Sequence, residues 1–366
     1  MTVNHEKFGL NEVINASGRM TILGVSTLSE SVLEAQRFGG EHFFEMAELM
    51  KKTGAYLAKQ LEVDDVQIVS SASAGIAQSV AAVIGQGSMY HVHHPYDETI
   101  KRREIILPKG HNVDYGVPVE LMIQQGGGHV IEAGYANQCT PDHIEAMITE
   151  QTAGILYIKS HHTVQKSMLD VAEAVKVANH YELPLIVDAA AEEDLLKYTA
   201  LGADLVIYSG AKAIEGPSAG MVIGKDPLVS WVRLQSQGIG RSMKIGKENV
   251  LGFVQAVDDY LIHGSESGES MKKRVQPFVE ALEKLPGIKA KVVQDPAGRE
   301  IYRASIQVVI GSARTIIEQL KAKAPVIYTR EYQANNGIIE FDIRSVTQKE
   351  MEQIIQRLNE ILQPKE

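Results

Sequence analysis

Lys212 closes the run Leu205-Val206-Ile207-Tyr208-Ser209-Gly210-Ala211-Lys212, and upstream the similar run Leu185-Ile186-Val187 ends in Asp188. Both residues fall at or just past the carboxyl end of a predicted strand, where open parallel sheets collect their ligands. A primary amine among small side chains can form a Schiff base with an aldehyde. A carboxylate can hold a proton on a pyridine nitrogen by opposite charge. An amine and an acid of this kind are what a protein must supply to hold pyridoxal 5'-phosphate. Asp188 also has a plainer reading as a helix N-cap after a strand.

A third element would be an anion site. Ser70-Ser71-Ala72-Ser73-Ala74-Gly75 follows one predicted strand and opens a helix. Small residues let the backbone approach an anion, hydroxyls donate, and a helix N-terminus carries positive potential. Ser71, Ala72, Ser73 and Gly75 suit a monoester phosphate, although serines also cap helices without any ligand. No Walker lysine follows, so a nucleoside triphosphate site has no support. His111, past the strand ending at Leu107, is either a ring-stacking and proton-transfer residue or a surface loop histidine. His161-His162, past the strand ending at Ile158, would bring a base beside the cofactor. Ser209 leaves room for a ring. Arg241 and Lys244, set among glycines in residues 238–247, form a candidate anion loop, and Arg344 ends a strand where it can bind a substrate carboxylate bidentately. Each of these three cations reads equally as a solvated charge. His91, His93 and His94 lack a carboxylate or thiolate at ligand spacing, so no metal is expected.

The elements that must position these groups alternate. Strands are predicted near 66–70, 104–107, 129–132, 154–158, the Leu185 run and the Leu205 run. Helices are predicted near 74–84, 119–123, 141–149, 171–180 and 193–201, with Asp170 opening the fourth. Repeated βα units argue for an α/β domain with a mostly parallel sheet and helices on both faces. Residues 29–61 carry helix-period apolar positions broken at Gly39-Gly40. After the Gly/Ser/Glu stretch 264–270, either a hinge or a bend between helices, strands near 289–293, 303–309, 326–330 and 338–343 alternate with helices near 313–322 and 348–362. The expected division is a large domain with an N-terminal arm over 1–262 and a small C-terminal α+β domain over 263–366.

Composition narrows the partners. The 366 residues carry a formal net charge of −10, which disfavours generic binding to a nucleic-acid backbone. One cysteine, Cys139, permits no intramolecular disulfide and fits a reducing compartment. The N-terminus has no apolar leader, and no run is long enough to span a bilayer. A cytoplasmic protein with a small-molecule substrate is expected.

Val13-Ile14-Asn15-Ala16-Ser17-Gly18, Val187-Asp188-Ala189-Ala190, and Ser209-Gly210-Ala211-Lys212 with Gly216-Pro217 and Ala219-Gly220 resemble the selenocysteine synthase group of fold-type I pyridoxal phosphate enzymes. The likeness spans roughly residues 12–362 and lies nearest the D-glucosaminate-6-phosphate ammonia-lyase branch. It implies Lys212 as the cofactor lysine, Asp188 at the ring nitrogen, Ser71 to Gly75 as phosphate cup, and His111 stacked on the ring. It also implies a lyase that releases ammonia from a phosphorylated amino sugar acid, with Lys212, His111 and His162 as catalytic candidates, working as a homodimer or larger homo-oligomer. The chain begins close to the Asn-Ala-Ser-Gly motif and has no basic footprint, so aminoacyl-tRNA chemistry is not expected. Another pyridoxal phosphate lyase or aldolase, a selenocysteine synthase-like transferase, and a non-catalytic cofactor-binding protein remain the alternatives.

Overall fold

The computed structural model describes residues 3–160, 162–295 and 299–363. It divides into two compact units, residues 28–265 and residues 1–27 with 266–366. Among the described residues the strands are β1 (Val13–Ala16), β2 (Asp65–Val69), β3 (Glu104–Pro108), β4 (His129–Ala133), β5 (Thr152–Ile158), β6 (Leu185–Asp188), β7 (Leu205–Ser209), β8 (Gly220–Gly224), β9 (Ile288–Gln294), β10 (Tyr302–Val308), β11 (Val326–Thr329) and β12 (Ile338–Phe341).

The larger unit is built on a seven-stranded sheet in the order β2-β8-β7-β6-β5-β3-β4. Strands β3 to β7 run parallel, as the alternating pattern predicts, and β8 runs antiparallel to both its neighbours. The sheet is buried on both faces, so its strands read as continuous apolar runs. Leu185 and Val187 lie in one cluster with helices Met46–Leu61, Val171–His180 and Lys247–His263. Ile186 faces the opposite cluster with helices Ala72–Gly85, Val119–Gln125 and Leu228–Leu234. Local signals set the boundaries. Asp170 opens helix Val171–His180 with a full capping box, accepting from Glu173 N–H while the Glu173 carboxylate accepts from Asp170 N–H, both at 2.8 Å. The break expected at Gly39-Gly40 falls just beyond it, between helices Glu30–Glu41 and Met46–Leu61.

The smaller unit has an antiparallel sheet β12-β10-β9 and a parallel pair β1-β11. This corrects the expected N-terminal arm of the large domain. Val13 to Ala16 pair in register with Val326 to Thr329, and Ile14 and Ala16 are buried in the smaller unit's own core. A strand must place its backbone hydrogen bonds somewhere, and here Val326 N–H donates to Glu12 O and Asp342 N–H to Ala16 O, both at 2.8 Å. The Asn-Ala-Ser-Gly motif then turns. Asn15 Oδ1 accepts from Ser17 N–H at 3.1 Å and from Ser17 Oγ at 2.8 Å, and Asn15 Nδ2 donates to Gly18 O at 2.9 Å. Gly18 has φ +94°, and a Cβ there would stand 3.0 Å from Asp342 Oδ2. Positive φ and the close approach both call for glycine.

Candidate functional site

Register alone lines up the carboxyl edge of the large sheet. Val69 and Ser209 flank Gly220, and Asp188 lies between Ile207 and Ile158. The segments leaving β2, β7, β6 and β5 therefore emerge side by side, bearing the Ser71 turn, Lys212, Asp188 and His162.

Lys212 is half-buried on the tight return from β7 to β8. Gly210 N–H donates to Ala219 O at 2.8 Å and Gly216 N–H to Gly210 O at 2.7 Å, bracing the loop across its base. A Cβ on Gly210 would come within 2.9 Å of the Phe253 ring, and one on Gly216 within 2.8 Å of Ala256 Cβ. The glycines let the loop lie flat on helix Lys247–His263.

Asp188 ends β6, with Oδ1 accepting from Ala190 N–H at 3.1 Å. Its surface is half-covered, yet protein surrounds the carboxyl group. Burial raises its pKa, opposed by the Lys212 charge and the Ala190 N–H. A buried acid of this kind is most stable beside a cation. His162 is exposed. Burial of part of its ring and the Lys212 charge lower its pKa, and Asp114 pulls it up. Lys212 thus acts electrostatically on both residues. His161 lies outside the described residues.

At the end of β2, Ser71 caps helix Ala72–Gly85, its Oγ accepting from Ala74 N–H at 3.1 Å. The other first-turn amides have no partner within an α-helix and point out of its end. Gly220 clears the approach, since a Cβ there would stand 3.1 Å from Ala72 N. Gly75 seats the helix on the sheet, where a Cβ would come 2.9 Å from Ile207 Cγ2. Ser73 Oγ lies 3.1 Å from Tyr115 Oη.

At His111 and Arg344 the structure departs from expectation. His111 has no exposed surface. Its Nδ1 faces Ile158 N–H at 3.4 Å, and its ring stands edge-on to Tyr157 with centroids 4.6 Å apart. Nε2 has no bond within hydrogen-bond geometry, though the Val164 backbone is close enough to raise its proton affinity somewhat. Burial pushes its pKa down to about 4. Val164 N–H, bonded to Gly110 O at 3.1 Å, holds the following segment over it. Covered from solvent and facing Ile158 N–H through Nδ1, the imidazole joins the ends of β3 and β5. Arg344 belongs to the smaller unit, and its fork is engaged by Asp342 through Nε–Oδ1 at 2.9 Å and Nη2–Oδ2 at 2.8 Å. That pairing competes directly with the substrate carboxylate it was expected to bind. Arg241 and Lys244 are exposed. The root of their loop packs on the cup helix, where a Cβ on Gly240 would stand 2.9 Å from Gln78 Oε1.

Comparison with known proteins fits this edge. The family model described as "SelA: L-seryl-tRNA selenium transferase" matches residues 95–359. The chain belongs to the SelA family. Within the family's reach, this SelA-family chain is 43% identical to a D-glucosaminate-6-phosphate ammonia lyase of Salmonella typhimurium, over 99% of this chain and 98% of the relative. It is 35% identical to a 5'-C-glycyluridine monooxygenase-decarboxylase of a Streptomyces species, over 99% and 92%. A solved structure of D-glucosaminate-6-phosphate ammonia-lyase superposes with TM-score 0.93 at 42% identity, covering 99% of both chains. The aspartate aminotransferase of Thermotoga maritima shares the fold alone, with TM-score 0.53 at 14% identity, covering 98% and 94%. The SelA-family chain is a fold-type I enzyme and its cofactor is pyridoxal 5'-phosphate. The residues at the sheet edge fit that group: outward amides and serine hydroxyls for a phosphate, a buried carboxylate for a protonated ring nitrogen, and an amine between them.

Proposed function

We propose that this protein is a D-glucosaminate-6-phosphate ammonia lyase, converting its substrate to a 2-keto-3-deoxy acid phosphate and ammonia. The observation that carries this reading is the 43% identity over the whole length of both chains. It is joined by a carboxyl edge equipped for the cofactor. Ser71, Ala72, Ser73 and Gly75 would hold the phosphate, Asp188 the ring nitrogen, Lys212 the aldehyde carbon, and Ser209 leaves space at the end of β7. Bound pyridoxal phosphate supplies a sink for the electron pair left on the substrate Cα. Lys212 Nζ is the base placed to take the α-proton. His162, on which the Lys212 charge acts, takes that proton over from Lys212 and passes it to the β-hydroxyl, which leaves as water. The enamine that remains gains a proton at its β-carbon to become an imine, and water hydrolyses the C=N bond to a keto group and ammonia. The exposed Arg241 and Lys244 attract the distal phosphate of the substrate.

A homo-oligomer is part of this reading. Phe43 is fully exposed and Phe38 half-exposed at the end of helix Glu30–Glu41 and the turn after it, an apolar surface that a second copy would cover. Light scattering of the purified protein checks it, and a monomer at working concentration removes it.

The deciding assay is ammonia release from D-glucosaminate 6-phosphate by the cofactor-loaded protein, with Lys212→Ala as blank. Release that disappears in the variant supports the reading. Oxygen-dependent carbon dioxide release from a glycyl-nucleoside, with no ammonia from the sugar acid, would instead align the chain with its Streptomyces relative.

A further inference from the structure

Tyr115 plays no part in the assignments above, yet it stands among them. It sits on a short turn pinned from several sides. Val119 N–H donates to Val113 O at 3.0 Å, Tyr115 N–H to Val117 O at 3.3 Å, and Gly116 N–H to Asp114 Oδ1 at 2.7 Å. Asp114 and Pro118 form a bridge across the turn. At its base, Asn112 Nδ2 donates to Glu132 Oε1 at 2.8 Å. The half-buried ring packs against the same apolar cluster as Ala72, the first residue of the cup helix. Its hydroxyl reaches Ser73 Oγ at 3.1 Å, across 42 positions of chain.

We propose that Tyr115 is a positioning residue of the phosphate cup, which fixes the direction of the Ser73 hydroxyl so that Ser73 donates to the cofactor phosphate. The argument is one of proton count. A serine hydroxyl has one hydrogen and can donate once. A phosphate has only acceptor oxygens, so Ser73 contributes only when its hydrogen points there. A phenol beside it, donating its own hydrogen to Ser73 Oγ, leaves the serine hydrogen for the anion, and the two bonds in series strengthen each other. Burial and the charge of Asp188 raise the Tyr115 pKa, with Ser73 acting the other way. The phenol therefore keeps the proton it must donate.

The inference rests on the cup reading, and the test separates the two. Dissociation constants of pyridoxal 5'-phosphate and of pyridoxal, which lacks the phosphate, are measured by absorbance titration of the apo form of the full-length protein. The variants are Ser73→Ala, Tyr115→Phe and the double variant, each with its thermal midpoint recorded. Tyr115→Phe keeps the ring and removes one hydroxyl. It should weaken the phosphorylated cofactor about tenfold and leave pyridoxal within about twofold. The double variant should be no weaker than about the worse single variant, because the two hydroxyls act as one device. Wild-type-like binding by Tyr115→Phe, equal weakening toward both probes, or a double variant with the full product of the single effects each overturns the role of Tyr115. If Ser73→Ala itself fails to discriminate between the probes, the cup reading falls and takes this proposal with it.

Discussion

At Asp188 two influences oppose each other: burial favours the neutral acid, and the nearby Lys212 ammonium favours the carboxylate. Once Lys212 no longer carries its charge, only another cation keeps the buried group ionised, and a protonated ring nitrogen is such a cation. Asp188→Asn should therefore retain bound cofactor on Lys212 but lower kcat about a hundredfold or more, read by cofactor content beside steady-state rates. His162 gives a second expectation. Its pKa is lowered from 6.5 by burial and by Lys212. Protonation at low pH removes a base, so the acid limb of kcat/KM should fall below pH 6.5. Asp114 raises that pKa, so Asp114→Asn should move the limb further acid, and His162→Asn should lose it with about a hundredfold of rate. A limb that stays fixed in Asp114→Asn would remove His162 from the proton path. The placement of Lys212, Asp188 and Ser71 at strand ends was legible in the sequence because each follows a strong apolar run. Tyr115 was not, since it lies in an irregular turn and meets Ser73 only through the fold. The burial of His111 was hidden for the complementary reason: its position after a strand is visible in the sequence, but the segment that covers it is not.

Among the elements, β8 does most to shape the edge. Because it returns antiparallel beside β7, Lys212 rides a hairpin anchored at both ends in one sheet rather than a loop leading away to a helix. Gly220, at its start, touches Tyr208 O and the cup backbone at once, a Cβ there lying 2.7 Å from the former. Gly220→Ala should cost about 1–3 kcal/mol and weaken cofactor retention, seen as a lower thermal midpoint in both apo and loaded protein. Tolerance of the alanine would mean that the cup and the hairpin are not held together there. The direction of β8 could not be read from its residues, since Gly220-Met221-Val222-Ile223-Gly224 is equally suited to either orientation. The helix Lys247–His263, missed in the sequence pattern, carries the Phe253 and Ala256 surface on which the lysine hairpin rests. By contrast, helices Val171–His180 and Gln348–Leu362 start where Asp170 and Thr347 cap them, because capping is a local chemistry that sequence displays.

Over the whole molecule, each unit has its own means of cohesion. The larger one relies on a sheet with two apolar faces. The smaller adds buried charge: Arg303, 1% exposed, hydrogen-bonds Asp342 at 3.0 Å and forms an ion pair with Asp295 at 2.9 Å. Burial alone would raise both acids. Arg344 and Arg303 overcome it to hold Asp342 well below the usual range, and Arg299 and Arg303 bring Asp295 to about 2. Lowered folded-state values mean that this stabilisation is complete above the ordinary carboxylate pKa of 3.8 and is lost as pH falls toward 2. The smaller unit should unfold in that window, followed by near-ultraviolet circular dichroism. Arg303→Ala should cost about 3–5 kcal/mol at neutral pH by taking from two buried acids the guanidinium they share, leaving Asp342 to Arg344 and Asp295 to Arg299, measured by urea denaturation.

The pairing of β1 with β11 also has a consequence in time. The first strand leaves the ribosome long before its partner, with roughly 300 residues of chain to be translated between them, which at about 5–20 residues per second is a wait of about 15–60 seconds. Throughout that interval Ile14 and Ala16 have no core to enter, whereas residues 28–265 are complete and free to fold before β11 is made. Synthesis therefore finishes the cofactor-bearing unit first, and the nascent chain carries an unpaired, sticky leading strand that chaperones or a premature partner can capture.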